Sequence, residues 1–141
     1  MINTSKLKEQ FEIAKKKFSN LKKEEIVQIA LHCAKDCLKN SIEKFDKEIK
    51  LVKDWLDGLD VLGKIEDTID EFNTFNSINF YLSCSVLSLL KSIYQMDTST
   101  QATNVIYYAS YASNSNEKME EYINLIRPGS IKYNVKIEFL C

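Results

Sequence analysis

The chain has 141 residues, with 19 basic and 20 acidic side chains and a formal charge of −1. That balance argues against a dedicated nucleic-acid binder, which carries a basic excess, and 45% hydrophobic residues argue against a disordered chain. Three glycines and one proline exclude collagen-like, linker-rich and turn-dense all-β architectures.

The first residues, Met1-Ile2-Asn3-Thr4-Ser5-Lys6, lead into a charged helix rather than an apolar signal region, so a cytoplasmic protein is expected. Helix 1 is expected over Thr4 to Phe18, where Leu7, Phe11, Ala14 and Phe18 recur at the spacing of one helix face. Lysines 15, 16 and 17 then complement the helix dipole in its last turn. Helix 2 is expected from Leu21 or Lys22 to Leu38, capped by Asn20, with Ile26, Ala30, Cys33 and Cys37 as its stripe. His32 points away from that stripe and falls with Gln28, Lys35 and Asp36 on the polar face. Helix 3 is expected to open at Asn40, with Glu43 completing a capping box. Its face is Ile42, Phe45, Ile49, Val52 and Leu56, and Gly58 stops it.

Helix 4 is expected over Asp60 to Phe72 on the face Leu62, Ile65, Ile69 and Phe72. Helix 5, about Ile78 to Gln95 and capped by Asn76 or Ser77, is apolar nearly all round, with Lys91 its only charge. Such a helix belongs at the centre of the domain. Helix 6 begins at a Thr98/Gln101 capping box and ends near Ser113. Ala102, Val105, Ile106, Ala109 and Ala112 share one side, and Tyr107, Tyr108 and Tyr111 the other. Helix 7 covers about Glu117 to Ile126 and is closed by Arg127-Pro128-Gly129. The tail changes period: Ile131, Tyr133, Val135, Ile137 and Phe139 alternate with polar residues, a strand signal over residues 131–140. It either packs on the helices as an extended arm or pairs across a homodimer. The expected architecture is one all-α domain over residues 1–141, an antiparallel stack of about seven helices with a short C-terminal strand.

Chemistry-bearing motifs are scarce. There is no glycine-rich phosphate loop and no G-x-S-x-G elbow. The only histidine has Ile29 three residues before it, so no Glu-x-x-His pair exists for a di-iron bundle. Four cysteines, Cys33, Cys37, Cys84 and Cys141, lack zinc-ligand spacing and read as free thiols. No run is apolar enough for a bilayer. No enzyme, no cofactor, no metal, no nucleic acid and no membrane partner are expected.

Charge is unevenly placed. Residues 1–53 hold 13 basic and 8 acidic groups, net +5; residues 54–75 hold one basic and seven acidic groups, net −6. Asp57, Asp60, Glu66, Asp67, Asp70 and Glu71 belong to that acidic segment. They form either an ordinary solvated face or a surface that steers a basic partner. Tyr107, Tyr108 and Tyr111 carry a similar pair of readings, core aromatics or interface anchors.

Ala30-Leu31-His32-Cys33-Ala34-Lys35-Asp36-Cys37-Leu38 is followed by Phe45 and by Val52-Lys53-Asp54-Trp55-Leu56-Asp57-Gly58, a succession of short motifs. With the Tyr/Ala-rich stretch Ala102 to Ala112, it resembles the all-helical immunity proteins of bacterial polymorphic toxin systems. Those proteins carry an Ala-x-x-Cys-Ala helix, a Trp-Leu-x-Gly helix end and Ala-rich helices with aromatics. The resemblance covers roughly residues 26–113. The middle helices depart from it, carrying Ser, Asn and bulky apolar residues, and no histidine follows His32. The resemblance implies an all-helical protein that binds and neutralises a cognate toxin domain without catalysis. The partner-binding residues are then expected to be Asp57, Asp60, Glu66, Asp67, Asp70, Glu71, Tyr107, Tyr108 and Tyr111. Trp55 and Gly58 are expected to be structural. The alternative is a self-associating helical adaptor that uses the C-terminal strand.

Overall fold

Seven α-helices and one 3-10 turn make up the described part of the chain, residues 2–131 of a computed structural model. They are α1 (Thr4–Phe18), α2 (Lys23–Leu38), α3 (Asp46–Leu56), α4 (Leu62–Glu71), the turn Thr74–Asn76, α5 (Phe80–Tyr94), α6 (Thr98–Ser113) and α7 (Asn116–Asn124). No strand occurs among the described residues. The strand expected over residues 131–140 lies outside them except for Ile131, which is half-buried and packs on the core.

Helix α5 is central, as its all-round apolarity predicts. It packs on α6, α2, α4 and α3, while α6 also meets α2, α1 and α7. Val86, Leu89, Leu90 and Ile93 of α5 and Ala102, Val105, Ile106 and Ala109 of α6 are all essentially inaccessible. The alanines of α6 let its neighbours approach closely. Ser85 and Ser92 of α5 can be buried because each finds a carbonyl: Ser85 Oγ donates to Val105 O at 2.8 Å and Ser92 Oγ to Leu89 O at 2.6 Å. Satisfied hydroxyls escape the cost of burying a bare polar group.

Helix 1 begins and ends as expected, and Asn3 caps it by accepting from Lys6 N–H. Gly58 closes α3 in the left-handed conformation, φ +87°. Other boundaries differ from the expectation. The α3 helix starts at Asp46, not Asn40, because Phe45 itself adopts φ 52°. The expected Asn40/Glu43 box does not form, since Glu43 Oε1 accepts from Ile78 N–H at 2.7 Å across the fold. Lys44 Nζ meanwhile donates to the carbonyls of Leu38 and Lys39, satisfying the end of α2. Asn20 does not cap α2; its amide reaches back to Lys16 O, and Lys22 holds the cap position without a side-chain bond. Helix α4 opens at Leu62 behind Val61 rather than at Asp60. Asn79, not Asn76 or Ser77, caps α5. The Thr98/Gln101 box is replaced by Gln101 Nε2 donating to Asp97 Oδ2 at 3.2 Å, with Thr98 buried inside the helix. A short-range box loses wherever a side chain has a better partner in the folded structure.

Candidate partner-binding surface

The three expected tyrosines lie in one continuous ladder of rings. Phe11 of α1 meets Tyr107 edge-on at 5.5 Å. Tyr107 meets Tyr111 at 5.2 Å and Tyr108 at 5.6 Å. Tyr111 stacks on Tyr81 of α5 at 5.1 Å, Tyr81 meets Phe80 at 5.6 Å, and Phe80 meets Phe75 of the 3-10 turn at 5.5 Å. Separations of this kind suit edge-to-face and offset ring pairs. Tyr107, Tyr108 and Tyr111 are half-buried by these contacts. Burial, followed by the hydrogen bond and charge of Tyr111, pushes the Tyr107 hydroxyl up to about 12. Burial likewise raises Tyr108. The exposed end of the ladder is Tyr81, Phe80 and Phe75.

Those three rings are not among the residues expected from the sequence. Phe80 and Tyr81 read as core because α5 is apolar on every side, yet they occupy its exposed first turn. Phe75 and Ile78 stand in the connection between α4 and α5, where apolar residues have no helical period to explain them. That misplaced apolarity is the signal that could have found them.

Asp57, Asp60, Glu66, Asp67, Asp70 and Glu71 are all exposed. Asp57 is the C-cap residue of α3 and Asp60 follows in the connection to α4, while the other four lie on α4. Their field is not uniformly negative. Asp67 and Glu71 line a groove of about 450 Å³ together with Asp54, Lys47, Lys50 and Lys64. Lys50 and Asp54 pair across one turn of α3 at 3.0 Å. The tyrosines and the acidic face are joined through the 3-10 turn. Glu71 lines a hollow with Asn73 and Asn76, and Phe75 between them begins the ring ladder.

A second concavity, lined mainly by α2, is more basic. It measures about 310 Å³ and is lined by Gln28, Leu31, His32, Lys35, Asp36, Lys39, Lys53 and Ile131. Burial, then the adjacent Lys53 ammonium, lowers the Lys35 pKa. His32 is exposed there, on the polar face where the helical period puts it.

Asp36 anchors the α2–α7 contact. Its Oδ2 accepts from Tyr122 OH at 2.9 Å and from Lys118 Nζ at 3.2 Å. Burial acts to raise its pKa, but Tyr122 and Lys118 together hold it below the usual carboxylate value. Asp36 is thus an ionised acceptor at neutral pH, a structural group rather than a proton donor. Cys33, Cys37 and Cys84 are free thiols, each pushed up first by burial. No group of three or more His, Cys, Asp or Glu is placed to hold a metal ion among the described residues, and no described helix is long and apolar enough to cross a membrane. The chain matches no family model, no curated protein and no solved structure in the comparisons.

Proposed function

We propose that this chain is an immunity protein that binds a cognate toxin domain of a bacterial polymorphic toxin system in the cytoplasm and blocks it by occupancy, without catalysis. The observation that carries the reading is the aromatic ladder. Its half-buried tyrosines fix it to the helical body, and its exposed end is ready to contact another protein. Aromatic side chains anchored this way supply large contact area at low entropic cost. The acidic face of α4 supports the same reading, since carboxylates there would steer a basic partner and repel acidic ones. The short connections between successive helices support an antiparallel stack as the frame. On this reading the toxin protein is the partner, and nucleic acid, membrane and cofactors play no part.

The test is growth rescue. The chain is co-expressed with the toxin-like reading frame encoded beside it, and survivors are counted. Rescue with a co-purifying complex is the expected result. Failure to rescue from a toxin that is lethal alone overturns the proposal.

A further inference from the structure

Four apolar side chains stand in water around the start of α5. Phe75 is 85% exposed, Ile78 74%, Phe80 41% and Tyr81 40%. Single exposed apolar residues are ordinary, but a contiguous cluster marks a contact surface. The frame beneath this one is well tied. Asn73 accepts from Phe75 N–H at 3.0 Å, Ser83 Oγ donates to Thr74 O at 3.3 Å, and Asn79 accepts from Leu82 N–H at 3.2 Å.

Beside this ridge lies a hollow of about 260 Å³. Glu43, Glu48 and Glu71 line it with Phe45, Phe72 and the polar residues of the turn. The Phe45 and Phe72 rings are stacked, with centroids 6.1 Å apart and planes 19° from parallel. Three carboxylates line the hollow, and neither lysine nor arginine does. The bond from Ile78 N–H to Glu43 fixes the hollow against the ridge. Carboxylates beside aromatic rings suit an ammonium or guanidinium group, by charge-assisted hydrogen bonding and by attraction to a ring face.

The geometry points to the ridge and the hollow as one docking surface for a protein segment that is apolar and carries lysine or arginine. The segment's apolar side chains cover Phe75, Ile78, Phe80 and Tyr81, and a cationic side chain enters the glutamate-lined hollow. This assignment rests on the partner-binding reading above and gives the partner its chemistry. The same glutamates oppose an acidic segment and an anionic lipid surface.

The test uses the full chain and two synthetic amphipathic peptides with the same leucines, one with lysine and the other with glutamate at every polar position. Calorimetric titration is expected to show binding of the lysine peptide, weakening as salt rises, and none of the glutamate peptide. Phe75→Ser with Ile78→Ser should weaken the lysine peptide about tenfold or more. Glu48→Gln with Glu71→Gln should do the same, to about tenfold. Glu9→Gln with Glu12→Gln removes equal charge from exposed positions on α1, away from the hollow and the acidic face, and should change affinity by less than about threefold. Melting curves check that each variant is folded. Equal binding of the two peptides overturns the assignment, as does undiminished binding by the serine or the Glu48/Glu71 variant. Binding to phosphatidylserine vesicles that requires Phe75 and Ile78 overturns it in favour of a lipid. A dimer split by the serine substitutions overturns it in favour of a second copy. Peptide binding without growth rescue keeps the surface and removes the immunity reading; rescue without peptide binding does the reverse.

Discussion

Tyr81 of α5 lies flat on Tyr111 of α6, with ring centroids 5.1 Å apart and planes 21° from parallel. Tyr111 also meets Tyr107 edge to face, and Tyr107 in turn meets Phe11 of α1 and Tyr108. One ring thus links the exposed aromatic surface to the helix pair at the centre of the fold.

Tyr111→Ala removes two ring contacts, each worth about 0.5 to 1.5 kcal/mol. The expected loss is about 1 to 3 kcal/mol in a denaturant titration. Tyr111→Phe keeps both rings and should cost far less. It also removes the hydroxyl that helps raise Tyr107, so an ultraviolet pH titration should find the Tyr107 pKa lower than in the wild type.

Asp36 makes stability depend on pH at the acid end. Its folded pKa lies below the ordinary aspartate value, so its contribution is complete above the unfolded pKa and disappears as pH falls through the folded one. Asp36→Asn should therefore be less stable at neutral pH and show a shallower loss on acidification. The Tyr122 hydroxyl is shifted far upward, by burial first and then by its bond to Asp36. The folded state keeps that proton when the unfolded state has lost it, so stability should fall above about pH 10. Tyr122→Phe should flatten this alkaline limb and cost about 1.5 to 3 kcal/mol at neutral pH, through the lost bond to a charged acceptor. Urea titrations across the pH range check both.

The α5–α6 contact depends on small side chains. Ala102 of α6 is fully inaccessible. Ala102→Leu should overpack the site and cost about 1 to 3 kcal/mol. Ala102→Gly, which adds no volume, should cost about 1 kcal/mol through helix propensity. Thermal melts of the two variants separate steric overpacking from propensity.

Charge reversal on the acidic face should leave the fold intact. Asp67 and Asp70 are exposed on α4. The double variant Asp67→Lys, Asp70→Lys should change stability by less than about 0.5 kcal/mol per site. If the partner is the proposed toxin domain, its binding, measured by calorimetry, should weaken as steering is lost. Equal binding by the reversed protein counts against the α4 face as a contact.

Cys33 is inaccessible and its thiol is pushed up by burial, whereas Cys84 is only half-buried. Alkylation of the native protein should modify Cys84 well before Cys33. Peptide mass spectrometry reads the order directly.

Periodicity alone locates the helices and most of their inward faces, but Ile42 and Leu62, expected on the stripes of helices 3 and 4, are exposed, because Ile42 precedes α3 and Leu62 is the first residue of α4. Leu7, Ala14 and Phe18, or Val86, Leu90 and Ile93, announce burial through spacing, because a helix must hide its apolar stripe. It also places α5 at the centre and His32 on a polar face. Caps were less legible. Asn20, Glu43 and Thr98 all sit where a local cap is chemically reasonable, yet each is used otherwise in the fold. The acidic residues were legible as a surface segment, but their neighbours were not: Lys47, Lys50 and Lys64 reach the same groove as Asp67 and Glu71 only after α3 and α4 have packed.

By itself, then, the sequence determined a helical domain, its core stripes and a segregated acidic segment. Those properties follow from side-chain spacing and composition, which act over one or two helical turns. Tertiary structure decided which aromatics became surface. Tyr107 and Tyr111 are half covered because Phe11 and Tyr81 arrive from other helices, and Phe75 is bare because a three-residue turn holds it clear of the core. It also decided that Glu43 and Glu48, on either side of the start of α3, share one hollow with Glu71, at the end of α4. Contacts between distant residues depend on how helices pack, and the period of a single helix does not encode that packing.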